Sequence, residues 1–387
     1  MLSWITETQT VWQRMQSCGK PVVIYGMGDG ALKIMKEMER CGVRADAIFA
    51  SDDFVRGQSF VGYPVLKLAQ VEERYEDFLI VMAFGVHDEP TIRRVMELSR
   101  RRELVAPDVP VAGEELFDLD FVQRHEAELD WLYRTLADDC SRRTLAAVVN
   151  YKLSGKLCYL DDCALPEEEA YRELLRLDPE EDFADLGAYR GDTIAQMLHY
   201  AGGCRSITAF EPDAKTFRKL CARVEELGVA ERTQCCNLAA WSGPEQLTFN
   251  GRGGRMSALL PQGEASSQSL LDRAMAPKKE VSVQADSLDR VRDGQRVSFI
   301  NMDVEGSERQ AIEGCRRTIQ EWKPKMLLAA YHRSEDLFAI AQQVDAICPG
   351  YRFYLRHHRS IPAWDTNLYA LPPQPGAGED AGENGRK

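Results

Sequence analysis

Residues 182–193 read DFADLGAYRGDT and place two acids and two glycines at one strand-to-helix turn. Gly187 and Gly191 let the backbone approach a ligand closely and turn into the helix, whose N-terminus then lies beside that ligand. A dinucleotide-binding turn would read GxGxxG and hold a pyrophosphate, but Asp192 at the helix start repels phosphate. The turn therefore favours a ligand with a positive sulfonium or ammonium group, which points to S-adenosylmethionine. A plain turn whose glycines serve geometry alone is the alternative interpretation.

A second acid follows the next strand of the same pattern. The segment SITAFEP ends in Glu211, roughly twenty residues or slightly more beyond the first glycine, which is the spacing that places a carboxylate on ribose hydroxyls. The pairing of this acid with the glycine turn strengthens the prediction of a nucleoside-containing cofactor.

Several motifs in order then resemble a known family. DLGAYRGDT, AFEPD, NLAAWSG, VSVQADSLD and INMDVEGSE resemble the FkbM-type S-adenosylmethionine-dependent methyltransferases over roughly residues 180–371. AAYHRSEDL, YLRHH and TNLYAL, with the lead-in LADDCSRRTLAAVVNYKLSG, are similar to one bacterial branch of it. The resemblance implies a class I methyltransferase fold that usually methylates a hydroxyl oxygen, on acceptors that include sugars, glycolipids and polyketides.

The resemblance also implies roles for the matched cofactor positions. Asp185, Gly187 and Gly191 would line the methionine end of the cofactor, and Glu211 would hold the ribose with Pro212 and Asp213 nearby. Asn237, Leu238 and Ala239, after the third strand, would lie by the adenine.

Two residues are candidates for the catalytic base that removes the acceptor's proton. Asp303 ends the fourth strand and His332 follows the fifth, so both should emerge at the same sheet edge. A histidine hydrogen-bonded at a strand end is the alternative for His332, and helix-dipole or capping charge is the favoured interpretation of Glu305 and Glu308. The motifs predict no dedicated metal site, although Asp303 with a neighbouring carboxylate could hold a divalent cation.

A basic cluster and a glycine-rich loop are candidates for acceptor binding. His357 and His358, flanked by arginines, could recognise a phosphate or carboxylate, or form a solvated strand end. The segment GRGGRMS at 251–257, which contains Arg255, could cover the acceptor as a lid or be a hairpin tip without function.

Two α/β units must position these residues. In the first, PVVIYGMGDG, ADAIFASDD and FLIVMAFG alternate with helical patterns, which is typical of a parallel sheet. Gly26 and Gly28, with Asp52 after the second strand, fit a weak dinucleotide-type fingerprint. This unit resembles the N-terminal domain of PglD-type sugar acyltransferases, which implies a nucleotide-sugar site. A degenerate module used for packing, dimerisation or docking is the alternative.

The second unit repeats the alternation with an interruption. Helices are expected at about 191–202, 213–228, 306–321 and 334–347, with a hairpin inserted within 241–297. The expected architecture is a Rossmann-like domain (1–110), a helical connector (111–178, helical over 114–150), a class I methyltransferase domain with the inserted hairpin (179–371) and a disordered tail (372–387).

Charge and composition argue against a nucleic-acid-binding protein and against a membrane-spanning one. The net charge of −13 argues against nucleic acid, and no apolar run is long enough to cross a membrane. The eleven cysteines contain no CxxC pair, which is typical of reduced cytoplasmic thiols. We therefore expect a cytoplasmic S-adenosylmethionine-dependent O-methyltransferase acting on a small-molecule or saccharide acceptor, with homo-oligomerisation left open. The alternatives are an NAD(P)-dependent oxidoreductase or epimerase, and a non-catalytic nucleotide-binding scaffold.

Overall fold

The computed structural model describes residues 2–250, 270–275 and 280–373, in which three sheets are packed with helices. The N-terminal sheet has the order β3-β4-β2-β1-β5-β6, and all of its pairings are parallel except the β3–β4 hairpin. Its strands are β1 (Val22–Tyr25), β2 (Ala47–Phe49), β3 (Ser59–Phe60), β4 (Tyr63–Leu66), β5 (Leu79–Met82) and β6 (Leu104–Val105). Its helices are α1 (Val11–Ser17), α2 (Asp29–Arg40), α3 (Leu68–Glu72) and α4 (Glu89–Arg101).

A run of helices connects this sheet to the second one. They are α5 (Leu119–Arg124), α6 (Glu126–Thr135), α7 (Asp139–Ser154), α8 (Cys158–Cys163) and α9 (Glu167–Glu169), which continues into a π-helical turn at Ala170–Leu175. The expected helix over 114–150 is thus interrupted near His125 and Leu136. Between α8 and α9 lies β7 (Ala164–Leu165), a short strand that the sequence did not predict.

The second sheet has eight strands in the order β10-β9-β8-β14-β15-β17-β16-β7. Its remaining strands are β8 (Asp182–Leu186), β9 (Ser206–Phe210), β10 (Thr233–Cys236), β14 (Phe299–Met302), β15 (Lys325–Ala329), β16 (Arg352–His358) and β17 (Thr366–Leu371). Helices α10 (Asp192–Ala201), α11 (Ala214–Glu226), α13 (Leu288–Arg292), α14 (Glu308–Glu313), α15 (Arg316–Trp322) and α16 (Asp336–Ile347) pack around it. β10, β9, β8, β14 and β15 are parallel, so their carboxyl ends lie along one edge.

The expected inserted hairpin is confirmed. β12 (Glu245–Asn250) pairs antiparallel with β13 (Glu280–Asp286), and β11 (Ala239–Ala240) completes a three-stranded sheet. The short helix α12 (Leu270–Met275) belongs to this insertion and places Leu271 in the apolar core around α2. The fold class, mixed α/β with a class I methyltransferase architecture, is as expected.

None of the helices in these described ranges is long and apolar enough to cross a membrane.

Candidate functional site

The carboxyl edge of the parallel strands brings together acids that are far apart in sequence. Asp185 lies near the end of β8, Glu211 follows β9 and Asp303 follows β14. The register aligns Asp185 with Asn301 of β14 and with Ala209 of β9. In open α/β sheets this edge, near the change in strand order, is where ligands bind.

Asp185 is the most deeply buried acid of the edge. Its Oδ1 accepts a hydrogen bond from Asn301 Nδ2 at 2.9 Å, and its Oδ2 has no hydrogen-bond partner among the described residues. Burial, together with the nearby Asp303 and Glu211, raises the pKa of this carboxyl to about 7. A cationic ligand at the edge would favour the ionised form.

The turn after β8 requires both of its glycines. Gly187 has φ of 95°, and a side chain there would meet the carbonyl oxygen of Asp303. Gly191, with φ of 83°, precedes α10, and its Cβ would lie 3.1 Å from Arg223 Cγ. The two positions therefore let the turn pass close to the loop after β14 while leaving the edge open.

The ribose-type acid is built into a rigid loop. Glu211 is buried and accepts a hydrogen bond from the backbone N–H of Asp213 at 2.8 Å, and burial raises its pKa to about 7. Asn237 Nδ2 donates to the carbonyl oxygens of Glu211 and Pro212, at 2.8 and 3.0 Å. Asn237 thus braces this loop, so the structure brings together these four predicted positions.

Asp213 also has a structural task, and two further predicted cofactor positions lie beyond this loop. The carboxylate of Asp213 caps α11 through the backbone N–H of Thr216 at 2.8 Å. Leu238 is half-buried, and Ala239 is buried in β11.

His332 is buried beside the carboxyl edge and is surrounded by three carboxylates. Its Nδ1 is 2.8 Å from Glu308 Oε1, and its Nε2 is 3.4 Å from Asp303 Oδ1 and 3.6 Å from Glu305 Oε2. Burial alone would lower the pKa of His332, but these carboxylates outweigh it and raise the value to about 10. The role of His332 as the catalytic base stays a prediction, although its side chain is only 2% exposed and the carboxylates favour the protonated ring.

Asp303 is the more accessible member of this group. Its side chain is 46% exposed, and its Oδ2 accepts a hydrogen bond from Tyr331 Oη at 3.1 Å. Glu308 lies at the start of a helix, as expected, but it also contacts His332. It begins α14 and accepts the backbone N–H of Val304 at 3.0 Å, yet it is fully buried against His332.

Sequence reasoning missed Tyr331 and Asn301. Tyr331 directly precedes His332 and Asn301 lies two residues before Asp303, but only the folded structure shows that their side chains contact Asp303 and Asp185. Asp303, Glu308 and His332 each offer a donor atom within 4.8 Å of the other two, a set that could hold a metal ion.

Comparison with known proteins identifies the domain that carries this edge. Residues 185–358 match the family model described as Methyltransferase FkbM domain. The match covers less than half of the chain, and we call residues 185–358 the FkbM domain. The chain is also similar to the solved structure of the methyltransferase FkbM from Methylobacillus flagellatus KT, with 24% identity, 91% of this chain and 90% of that chain covered, and a TM-score of 0.68.

An rRNA methylase from Streptococcus thermophilus is a more distant match, with 13% identity, 54% of this chain and 98% of that chain covered, and a TM-score of 0.35. A search of curated proteins found no match.

The two histidines at the end of β16 are buried, which does not fit the role predicted for them. In the FkbM domain His357 is fully buried with its Nδ1 3.1 Å from Thr366 Oγ1, and burial lowers its pKa to about 3. His358 Nδ1 donates to the carbonyl of Leu165 at 3.0 Å, and burial lowers its pKa as well. Both rings are therefore neutral at pH 7, and the expected positive cluster for an anionic acceptor is wrong for them. Arg255 and the predicted lid at 251–257 lie outside the described residues.

The glycine motif of the N-terminal unit opens α2. Gly26 has φ of 124° and Gly28 precedes the helix, whose first residue is Asp29. Asp52 lies in a short 3₁₀ turn, 3.7 Å from Lys67. Asp29 at the helix start disfavours phosphate for the same reason as Asp192, so a nucleotide at this motif stays a prediction.

The N-terminal unit also contacts the FkbM site. Val86 and Ile361 exchange two backbone hydrogen bonds of 2.8 and 2.9 Å, and Gly85 lies against the ring of Trp364. The backbone N–H of Ala112 donates to the carbonyl of His332 at 2.9 Å. We call the meeting of residues 84–88 with residues 361–365 the junction.

Proposed function

We propose that this protein transfers a methyl group from S-adenosylmethionine to a hydroxyl oxygen of a saccharide or glycan-precursor acceptor. The observation that carries the proposal is the acidic carboxyl edge of the FkbM domain, with Asp185 and Glu211 beside the glycine turn. Their buried carboxylates complement a cationic cofactor, and Asp192 at the start of α10 disfavours phosphate there.

The cofactor would lie along this edge. Asp185, Gly187 and Gly191 would face its methionine end, and Glu211 would accept the ribose hydroxyls. The loop braced by Asn237 would lie near the adenine.

The acceptor hydroxyl would bind at Asp303. In the transfer, the acceptor oxygen forms a bond to the methyl carbon while the bond from that carbon to the sulfonium sulfur breaks in line. The hydroxyl proton passes to the Asp303 carboxylate and then to solvent. Asp303 suits this role because its side chain is 46% exposed, whereas that of His332 is 2% exposed.

The surroundings of Asp303 favour a neutral polyol. Burial and the nearby Asp303 raise the pKa of Asp365, and Glu305 adds a third carboxylate. These groups accept hydrogen bonds from sugar hydroxyls and repel anionic groups, while the half-buried rings of Tyr331 and Trp364 offer apolar faces. The reacting end of the acceptor should therefore carry no phosphate or carboxylate.

Calorimetry with the purified full chain tests the cofactor. We expect micromolar binding of S-adenosylmethionine and S-adenosylhomocysteine, and none of NADH. Glu211→Ala should weaken S-adenosylhomocysteine binding about 10- to 100-fold, since it removes charge-assisted hydrogen bonds to the ribose. Glu231→Ala, at an exposed position after α11, is the matched control and should bind like the wild type.

No binding of S-adenosylmethionine by a well-folded protein would refute the proposal, and NADH binding in its place would favour the oxidoreductase alternative. Transfer of a radiolabelled methyl group to glucose in preference to glucose 6-phosphate would support the neutral acceptor. The reverse preference would contradict it.

A further inference from the structure

The distances from His332 Nε2 to two carboxylates match those between ligands of one metal ion. Its Nε2 lies 3.4 Å from Asp303 Oδ1 and 3.6 Å from Glu305 Oε2, which is longer than a good N–H···O hydrogen bond. Two donors at about 2.1 Å from one metal ion, at a tetrahedral angle, are about 3.4 Å apart. The geometry thus fits a metal ion between Nε2 and the two carboxylates.

The opposite side of the ring is held as metal-bound histidines usually are. Glu308 Oε1 lies 2.8 Å from Nδ1, and Glu308 is fully buried. A carboxylate that fixes the non-ligating nitrogen orients the ring and makes it a better ligand.

Two buried carboxylate oxygens near His332 accept no hydrogen bond from the described residues. Glu308 Oε2 is buried and has no hydrogen-bond partner among the described residues, and the same holds for Oδ1 of the neighbouring, buried Asp336. Unsatisfied carboxylate oxygens beside a buried imidazole are costly without further positive charge. Glu308 lies at Nδ1, on the opposite side of the ring from the proposed ion, so a cation at Nε2 would offset this negative charge without being coordinated by it.

We propose that His332 Nε2, Asp303 and Glu305 bind one divalent metal ion, with Glu308 as the residue that positions the ring. The ion takes the place of the proton on Nε2, because a ligating imidazole nitrogen must be deprotonated. A mixed imidazole and carboxylate set suits Mn²⁺ or Zn²⁺ better than Ca²⁺, which prefers oxygen ligands only. Asp303 and Glu305 are 46% and 39% exposed, so the ion keeps an open side toward the sheet edge.

The role of the ion rests on the proposed function. On its open side it would bind the acceptor hydroxyl and ease the loss of its proton. The binding itself requires neither cofactor nor acceptor.

Titration of the metal-free full chain with MnCl₂ tests the site. Calorimetry and the EPR signal of free Mn²⁺ measure the binding. We expect one tight site per chain, with Mg²⁺ weaker and Ca²⁺ weakest. Asp303→Asn and Glu305→Gln, at half-exposed positions that leave the core intact, should each weaken Mn²⁺ binding at least tenfold. Glu335 lies on the same loop as His332 but outside the proposed set of ligands. Glu335→Gln is therefore the matched control and should bind Mn²⁺ like the wild type.

Three results would overturn the proposal: no Mn²⁺ binding at 1 mM (about the limit of useful affinity), tighter binding of Ca²⁺ than of Mn²⁺, or unchanged Mn²⁺ affinity in both ligand variants. S-adenosylhomocysteine binding, measured on the same samples, reports separately on the proposed function. Loss of one with retention of the other therefore identifies which proposal has failed.

Discussion

At the scale of single residues, the types and positions of the site acids could be predicted, but their chemistry could not. Strand ends placed Asp185, Glu211 and Asp303 at one edge, as the motifs indicated. The charge state of His332 depends on Glu308, 24 residues away. The pKa of Asp185 is raised by burial and is lowered in part by the hydrogen bond from Asn301, 116 residues away. Such pairs form only when the strands align, so no local pattern encodes them.

Asp185 should cost the folded protein stability at neutral and alkaline pH. Its pKa rises from 3.8 to about 7 on folding, so the folded state binds an extra proton between these values. The free energy of unfolding therefore falls as pH rises through this window, by roughly 4 kcal/mol at most for this group. Asp185→Asn should match the wild type near pH 4 and be more stable than it above pH 7.

Urea unfolding at pH 4.5, 6 and 8 measures this difference. The same variant should lose affinity for S-adenosylmethionine, because the carboxylate that faces the cation is gone. A stability difference that does not change with pH would contradict the assignment of the shift to Asp185.

At the scale of elements, the strand–turn–helix units followed from sequence, and three details did not. β7 is two residues long and exists because it pairs with β16 at His357 and His358. The expected helix at 306–321 divides at Gly314 and Cys315, where a side chain at Gly314 would meet the carbonyl of Trp241. The second half of the connector helix α7, residues 148–154, is buried on every side, which blurs the amphipathic pattern there.

Gly187, in the turn before α10, and Gly202, which directly follows α10, allow a matched comparison of turn and cap. Gly187 and Gly202 both have positive φ, 95° and 73°, but only Gly187 lies against another part of the described chain, at Asp303. Gly202→Ala should therefore cost about 1 kcal/mol from backbone strain alone. Gly187→Ala should cost at least about 2 kcal/mol more, because the turn must move away from β14.

Chemical denaturation gives both costs, and calorimetry with S-adenosylhomocysteine gives the functional effect. Gly187→Ala should weaken S-adenosylhomocysteine binding at least tenfold, whereas Gly202→Ala should leave it unchanged. Equal effects of the two substitutions would show that the close approach of the turn to Asp303 contributes nothing.

At the scale of the whole molecule, two α/β units were predicted, but not the way they meet. The contacts at the junction and at Ala112 join loops whose sequences carry no pairing signal. The buried ion pair of Lys152 with Asp108, 2.7 Å long, likewise fastens the connector to the N-terminal unit. Because Asp365 of the loop 361–365 lies near both Asp303 and His87, the N-terminal unit lies next to the proposed acceptor site.

Gly85 is the position where this arrangement is most sensitive to side-chain size. Its Cβ would overlap the ring of Trp364, whereas a Cβ at Gly28 in the same unit meets nothing within 4 Å among the described residues. Overpacking at Gly85→Ala should cost about 1–3 kcal/mol and lower Tm by several degrees, since the Val86–Ile361 hydrogen bonds must shift as well. Gly28→Ala should leave Tm within about 1 °C of the wild type, since it adds no close contact. S-adenosylhomocysteine affinity should be retained in both variants, because the cofactor edge lies on the other side of β14. Differential scanning calorimetry that finds the two variants equally stable would mean that the units do not depend on this contact.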